Sequence, residues 1–147
     1  MRGLAGLLAA LALGFAASGG LAQNKVPTER GLEALVKSNL LTFNDANVTG
    51  NYTVLHAKLS KPFRDQFPPE RLKAAFKEFA DKAIDIDLVA ALKPAYDPPP
   101  KVDDDGKLIV KGTFPTDPAV VHFELDFIPS DGEWKLVRIN VKTEKPH

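Results

Sequence analysis

The chain has 147 residues, of which 44% are hydrophobic and 26% charged, with 19 basic and 19 acidic side chains, no Cys and one Trp. This is the composition of one globular domain, and it excludes collagen-like, low-complexity and disulfide-stapled proteins. The balanced charge provides no basic field for a phosphate backbone, so nucleic acid is not expected as a partner.

The N-terminal segment has the pattern of a secretory signal peptide. After Arg2 the next charged residue is Lys25, and residues 4–17 are nearly all Leu, Ala, Gly and Phe. This apolar run is shorter than the roughly 20 residues of a transmembrane helix, because Ser18 and the two glycines after it interrupt the run. The segment therefore predicts export, and an uncleaved membrane anchor is the alternative.

The end of this segment also predicts a cleavage site. Gly20 and Ala22 are small residues at the two positions that a signal cleavage site requires, which makes Gln23 the first mature residue. The chain then divides into a signal peptide, residues 1–22, and one domain, residues 23–147. We expect the processed domain in the periplasm or outside the cell, without stable membrane insertion.

The first part of the domain predicts helices. A helix over residues 28–45 is predicted from apolar residues at helical spacing, namely Leu32, Leu35, Val36, Leu40 and Phe43. A short second helix spans residues 52–59 and ends at Ser60, Lys61 and Pro62. A third helix begins at Pro68, Pro69 and Glu70, and its apolar stripe is Leu72, Ala75, Phe76 and Phe79.

The second part of the domain predicts strands. Apolar and polar residues alternate over residues 84–89, which indicates a half-buried strand, whereas the proline-rich residues 94–101 predict a connection. Residues 108–114, 120–128 and 133–143 are separated by short turns and predict an antiparallel meander. The predicted fold class is α+β, with N-terminal helices packed on one face of an antiparallel sheet of about four strands.

Two parts of the chain contain short patterns of residues in a fixed order. In residues 43–76, FNDANVTGNYTVLHAKLSKPFRDQFPPERLKAAF, these are a Tyr-x-x-Leu helix, a Phe-Arg-x-x-Phe segment and a Pro-Glu helix, here Tyr52 and Leu55, then Phe63, Arg64 and Phe67, then Pro69 and Glu70. In residues 132–142, GEWKLVRINVK, a Gly-x-Trp turn begins a long strand. In these patterns and their order the domain resembles small exported proteins of the NTF2-like superfamily, in their helical half and in their last strand.

The resemblance implies a cystatin-like cone fold. In that fold a curved sheet wraps around the first helix and leaves a cone whose mouth can hold an apolar ligand, and in many members the outer sheet face forms a dimer. The superfamily contains isomerases, cyclases, dehydratases, transport adaptors and domains without known chemistry, so the resemblance does not by itself assign a function.

Six residues are candidates for ligand binding in such a cone. Phe123, Leu125 and Phe127 share one face of their strand, which is the natural core or cone face. Tyr52 and His56 are four residues apart on the second helix and could together line the cone mouth, and Trp134 could cap a ligand. The alternative is structural: a core tyrosine, a hydrogen-bonded boundary histidine, and a tryptophan that seals the end of the sheet.

Three residues on the opposite strand face are candidates for a dimer contact. His122, Glu124 and Asp126 alternate with the aromatic face and therefore lie on the outer side of the sheet. A solvated sheet surface is the alternative. A histidine beside two carboxylates would make a dimer contact sensitive to pH near neutrality.

No complete catalytic, metal-binding or nucleotide-binding motif is found in the sequence, so no catalytic residue, metal or cofactor is expected. The predicted function is an exported, non-catalytic domain that binds a small apolar ligand or a protein partner, through a cone-shaped cavity or the sheet face, and pairs with a second copy. One alternative is an enzyme of the isomerase or cyclase type that uses a His or Asp in the cone. The other is a structural envelope protein whose cone is filled by its own side chains.

Overall fold

The computed structural model describes residues 6–12 and 25–145 as an α+β fold. In chain order the elements are β1 (Gly6–Ala12), α1 (Glu29–Thr49), α2 (Thr53–Ala57), α3 (Lys61–Gln66), α4 (Pro69–Ala75), α5 (Lys77–Asp81), a 3-10 helix (Asp87–Ala91), β2 (Ala95–Tyr96), β3 (Lys101–Val102), β4 (Leu108–Phe114), β5 (Val120–Ser130) and β6 (Glu133–Glu144).

The sheet has six antiparallel strands in the order β1-β6-β5-β4-β2, and β3 also pairs with β4. The strands β4, β5 and β6 form the predicted meander, which confirms this part of the fold. Within it Asp126 pairs with Arg138 and Phe127 pairs with Leu136, so Val137 is an extra residue in β6. Such a bulge bends the strand and increases its local twist. It also lets Leu136 and Ile139 both point to the core, although their numbers differ in parity.

The first helix is fixed at both ends by its sequence. The hydroxyl of Thr28 accepts a hydrogen bond from the Gly31 amide at 3.1 Å. Gly50 follows the helix with φ 76°, a left-handed conformation that glycine adopts at little cost, and its amide donates to the carbonyl of Ala46. The helix is thus four residues longer at its C-terminus than the predicted 28–45, because Ala46 and Asn47 continue its buried face.

The space between α1 and the sheet is filled by side chains. Phe43 of α1 packs edge-on against Phe76 and Phe79, with ring centroids 5.1 and 5.3 Å apart. From the sheet, Phe123 and Phe127 are at most 1% exposed and belong to the same core cluster. The structure therefore confirms the α+β class and a helix packed on a curved antiparallel sheet, but with six strands, and it does not support the specific cone fold.

Several predicted boundaries are wrong for identifiable reasons. Residues 84–89 are not a strand, because Asn44 of α1 holds Asp85 and Ile86 by hydrogen bonds and residues 87–89 belong to the 3-10 helix. The third helix is divided at Phe76 into α4 and α5. The sequence does not predict helix α3, because a proline such as Pro62 commonly ends a helix. In the structure Pro62 lies in the first turn of α3.

The proline-rich connection contains two short strands. Ala95 and Tyr96 pair with Thr113 and Gly112 of β4, and β3 pairs with the beginning of the same strand. The prediction that residues 94–101 form only a connection is therefore wrong. Pro98, Pro99 and Pro100 lie between the two paired segments, where no ladder donor is needed.

The predicted signal peptide overlaps strand β1. Gly6–Ala12 pairs antiparallel with β6, from Gly6 opposite Glu144 to Ala12 opposite Arg138. The predicted cleavage residues Gly20, Ala22 and Gln23 lie outside the described residues, so cleavage stays a prediction. In the ranges 6–12 and 25–145, no helix combines the length and the apolar character needed to cross a membrane.

Candidate functional site

A cleft of about 470 Å³ opens at one end of the sheet. Its walls come from the segment between α5 and the 3-10 helix, the β4–β5 turn, the end of β6 and strand β1. Most of the wall is apolar, from Leu7, Ala83, Ile84, Ile86, Leu88, Pro118, Ala119 and Val121. Polar atoms come from Lys82, Asp85, Thr116, Asp117, Thr143 and Lys145. We call this site the apolar cleft.

One wall of the apolar cleft is held by Asn44 of α1. The side-chain amide of Asn44 donates to Asp85 Oδ1 at 2.8 Å, and its carbonyl oxygen accepts from the Ile86 amide at 2.9 Å. Asp85 Oδ1 also accepts from the Asp87 amide at 3.1 Å. These bonds fix the backbone so that Ile86 is 2% exposed in the core while Leu88 remains 49% exposed.

The opposite wall is the β4–β5 turn. The amide of Thr116 donates to the carbonyl of Phe114 at 2.8 Å, and the Thr116 hydroxyl donates to the carbonyl of Ala119 at 2.5 Å. Across the cleft, Ala83 has φ 53°, a left-handed conformation that costs free energy for a residue with a Cβ. Both walls therefore have a defined backbone conformation.

The charges of the apolar cleft contain both signs. Lys82 and Lys145 are exposed, as are Asp85 and Asp117. The carboxylate of Asp85 already accepts two hydrogen bonds, which leaves the lysines and Asp117 available to a polar group of a ligand. The arrangement can enclose an apolar group and leave a polar group at the surface.

The structure places Tyr52 and His56 outside this cleft, each with a partner of its own. Tyr52 is 3% exposed, its hydroxyl donates to Asn47 Oδ1, and its ring stacks on Phe76. Burial raises the pKa of the Tyr52 hydroxyl above its usual range. His56 Nε2 donates to the carbonyl of Arg64 at 3.1 Å. These contacts fit the structural alternative for both residues.

The other predicted ligand-binding residues are also absent from the apolar cleft. Leu125 and Phe127 are 0% exposed and Phe123 is 1% exposed, so all three are core residues. Trp134 is half-buried beside the core and pairs with Pro129 at the β5–β6 hairpin. Of the six predicted residues, Tyr52 and the three residues of β5 belong to one buried core cluster, and Trp134 packs against that cluster.

The predicted dimer residues do share one face. His122, Glu124 and Asp126 lie on the side of the sheet opposite the core, which we call the outer sheet face, together with Lys111, Thr113, Arg138, Asn140 and Lys142. A groove of about 620 Å³ opens on this face beneath Leu8 and the Ala95–Asp97 segment. His122 Nε2 is 3.3 Å from Glu144 Oε1, and both side chains are solvated.

Glu124 is at the centre of a charge network on the outer sheet face. Its carboxylate is 3.1 Å from Lys111 Nζ, and it accepts from Arg138 at 2.8 Å and from Asn140 at 2.9 Å. Burial acts to raise the pKa of Glu124, but the hydrogen bonds from Arg138 and Lys111 outweigh it and lower the pKa.

Asp126 lies beside this network and behaves in the opposite way. Burial raises the pKa of its carboxyl, although the positive charges of Arg138 and Lys107 act to lower it. Asp126 lies on the outer sheet face and does not line the apolar cleft. It is thus a perturbed carboxyl that lies away from the apolar site.

The sequence analysis missed Asn44, Asp85 and Leu88, which position and line the apolar cleft. The sequence does contain one indication of this contact. Asn44 follows Phe43 on the buried side of a helix, and a buried amide needs a hydrogen-bond partner. The partner, Asp85, is not recognisable from the sequence, because the apolar and polar alternation over residues 84–89 predicts a strand there. Within the described ranges, no group of three or more His, Asp or Glu side chains is arranged to hold a metal ion.

Comparison with known proteins adds no relative. No family model matches the chain, and neither a curated protein sequence nor a solved structure is significantly similar to it. The resemblance to the NTF2-like superfamily thus stays a prediction, and a function has to be argued from the chain's own geometry.

Proposed function

We propose that this protein binds a small apolar molecule, or the apolar part of an amphiphile, in the apolar cleft. The observation that carries the proposal is the cleft itself, a volume of about 470 Å³ with Leu88 half-exposed on its wall. Small-molecule sites in proteins are clefts of roughly 300–1,000 Å³ with mainly apolar walls and a few polar groups. A ligand that covers Leu88 would gain the free energy of burying its exposed apolar surface.

The cleft is arranged before any ligand enters. Asn44 holds one wall through Asp85 and Ile86, and Thr116 holds the other through Ala119. A site with fixed walls loses little conformational entropy on binding, so more of the burial free energy is retained as affinity. The fixed walls therefore support a ligand-binding site and not an incidental depression of the surface.

The same contacts favour binding without catalysis. An isomerase or cyclase would need a carboxylate or histidine free to move a proton inside the apolar site. Asp85 is hydrogen-bonded to the Asn44 side chain and to the Asp87 amide, and Asp117 lies on the exposed turn. The perturbed carboxyl of Asp126 lies on the outer sheet face.

One further part of the proposal, export, comes from the sequence. The pattern of residues 1–22 supports export, so we expect the ligand to be met outside the cytoplasm. The filled interior is what a structural envelope protein would also have, and the ligand experiment below separates that alternative from a binding protein.

The test is fluorescence titration of the full chain with 1-aminoanthracene, an apolar probe whose emission rises on leaving water. Ala119→Trp places an indole in the cleft from its turn wall, and Ala74→Trp places the same side chain on an exposed position of α4. We expect binding by the parent and by Ala74→Trp, and at least about tenfold weaker binding by Ala119→Trp. Equal binding by all three proteins, or no binding by the parent, would overturn the proposal.

A second candidate is pairing of two copies through the outer sheet face. The observation that favours it is the charge pattern: Lys111, Arg138 and Lys142 lie among Glu124, Asp126 and Glu144, so the face is complementary to a copy of itself. Sedimentation equilibrium tests it with Lys142→Glu and the exposed control Lys73→Glu. A dimer that weakens only with Lys142→Glu supports this candidate, and a monomer at high protein concentration excludes it.

A further inference from the structure

Strand β1 occupies a groove with a specific pattern of side chains. Leu7, Ala9 and Leu11 pair with Thr143, Val141 and Ile139 of β6 and point to the core side. Ala9 is only 4% exposed, whereas Leu8 is 55% exposed on the other face. The groove thus contacts every second residue of β1, namely Leu7, the small Ala9 and Leu11.

The groove has walls as well as a strand edge. Helices α4 and α5 both pack against β1, so the strand lies between the β6 edge and the helical layer. The side chain at the middle of the groove is Ala9, next to Val141, which is itself 0% exposed. A larger side chain at the position of Ala9 would have to displace core residues.

We propose that the β6 edge, together with α4 and α5, is an acceptor site for a single extended strand with the pattern Leu-x-Ala-x-Leu. In the full chain the occupant is the chain's own Gly6–Ala12. In a chain cut after residue 22, the occupant is the same segment, held at the β6 edge without a covalent link to the domain. Backbone hydrogen bonds to β6 provide affinity, and the small central residue provides selectivity. The site adjoins the apolar cleft, because Leu7 of β1 also lines that cleft.

The position of the helices argues for a single strand and against a second copy of β6. Two β6 strands paired antiparallel would be related by a twofold axis perpendicular to the sheet, so both helical layers would lie on the same face. Helices α4 and α5 of one copy extend over the place of β1, and there they would meet the helices of the other copy. A lone strand avoids this collision.

The experiment begins with the full chain carrying a site-specific protease sequence between Gly19 and Gly20. After folding and cutting, native mass spectrometry shows whether the N-terminal fragment stays bound. A fluorescent peptide of residues 6–12, with added lysines for solubility, is then used to compete with the fragment. We expect the fragment to be retained, and to be exchanged for the peptide when the peptide is in excess.

The control is a pair of peptides with identical composition. Ala9→Leu enlarges the residue that faces the core, and Ala10→Leu enlarges its exposed neighbour. We expect the Ala9→Leu peptide to bind at least about tenfold more weakly than the parent peptide, and the Ala10→Leu peptide to bind as well as the parent. Unspecific apolar binding would instead give the two leucine peptides the same affinity, because their compositions are identical.

Three results would overturn the proposal. The first is loss of the fragment on cutting, with no uptake of the peptide and unchanged hydrogen exchange at the amides of residues 138–144. The second is equal affinity of the two leucine peptides, which would indicate unspecific apolar binding. The third is dimerisation of the cut chain with protection of the β6 amides, which would assign this edge to a second copy.

Discussion

Asn44 and Ile86 are 42 residues apart, yet the side-chain oxygen of Asn44 accepts a hydrogen bond of 2.9 Å from the backbone amide of Ile86 in the protein interior. The same side chain donates to Asp85, so one asparagine fixes the segment that forms a wall of the apolar cleft. A buried backbone amide without a partner is costly, which makes this pair a sensitive point of both stability and binding.

Asn44→Ala should lower the free energy of unfolding by about 1–3 kcal/mol and weaken binding of the apolar probe, because the Ile86 amide loses its acceptor. Asn39→Ala is the control: it is as buried, but its side chain bonds to Leu35 within the same helix. Urea denaturation and probe titration measure both effects. If the two variants bind the probe equally, Asn44 does not organise the cleft.

Gly112→Ala should destabilise the attachment of β2 to β4. A Cβ at Gly112 would lie 2.3 Å from the carbonyl oxygen of Ala95, a distance that forces the backbone of β2 to move. We expect a loss of about 1–3 kcal/mol and faster hydrogen exchange at Asp97, whose amide donates to Lys111. The substitution Thr113→Ala at the neighbouring position should change the free energy of unfolding by less than about 0.5 kcal/mol. Similar losses of stability in the two variants would contradict this reasoning.

Two tyrosines should respond in opposite directions to removal of their hydroxyl groups. The Tyr96 hydroxyl is buried and has no hydrogen-bond partner among the described residues, and burial raises its pKa. Tyr96→Phe should therefore keep or raise the free energy of unfolding, by up to about 1 kcal/mol. Tyr52→Phe removes the bond to Asn47 and should lower it by about 1–2 kcal/mol. Thermal denaturation of the two variants provides the comparison, and a destabilised Tyr96→Phe would reveal an unseen partner.

Glu124 and Asp126 should give opposite pH dependences of stability. The lowered pKa of Glu124 means that its ionised form stabilises the fold above the ordinary range of a glutamate, and that this contribution is lost as the pH falls towards the folded-state pKa. The raised pKa of Asp126 means that stability decreases as the pH rises from the ordinary range of an aspartate through its folded-state pKa.

Near neutral pH, Glu124→Gln should therefore be less stable than the parent, by about 0.5–1 kcal/mol, and Asp126→Asn should be more stable. Both differences should shrink in acid. Urea midpoints measured from neutral pH down to about pH 3, below the ordinary pKa range of both carboxyls, test the two signs. Differences that are constant over this whole interval would contradict the assignment.

The sequence allows prediction of the elements whose pattern extends over several turns or residues. Helix α1 and the meander of β4, β5 and β6 are of this kind, since capping, periodicity and turn residues agree there. Residues 84–89 were misassigned because their alternation is that of a strand, while tertiary hydrogen bonds from Asn44 decide their conformation. Strand β1 was missed because its composition is that of a leader, which has no strand periodicity.

The apolar cleft could not be predicted, because its walls come from segments that are far apart in the chain. Ile84 and Leu88, Pro118 and Ala119, and Thr143 meet only after the sheet has formed. The predicted ligand residues were chosen from the interior of a cone, and in the structure that interior is the packed core. The outer sheet face was easier to predict, since strand alternation alone places His122, Glu124 and Asp126 together.

The pairing of β1 with β6 joins the two ends of the chain, and this has a consequence for the time at which it can form. Residues 133–144 are synthesised about 120 residues after residues 6–12. At about 5–20 residues per second, the first strand waits for roughly 6–24 seconds before its partner exists. During that interval the apolar segment is available to any factor that recognises nascent chains, and the order of synthesis gives such a factor the first opportunity to bind it.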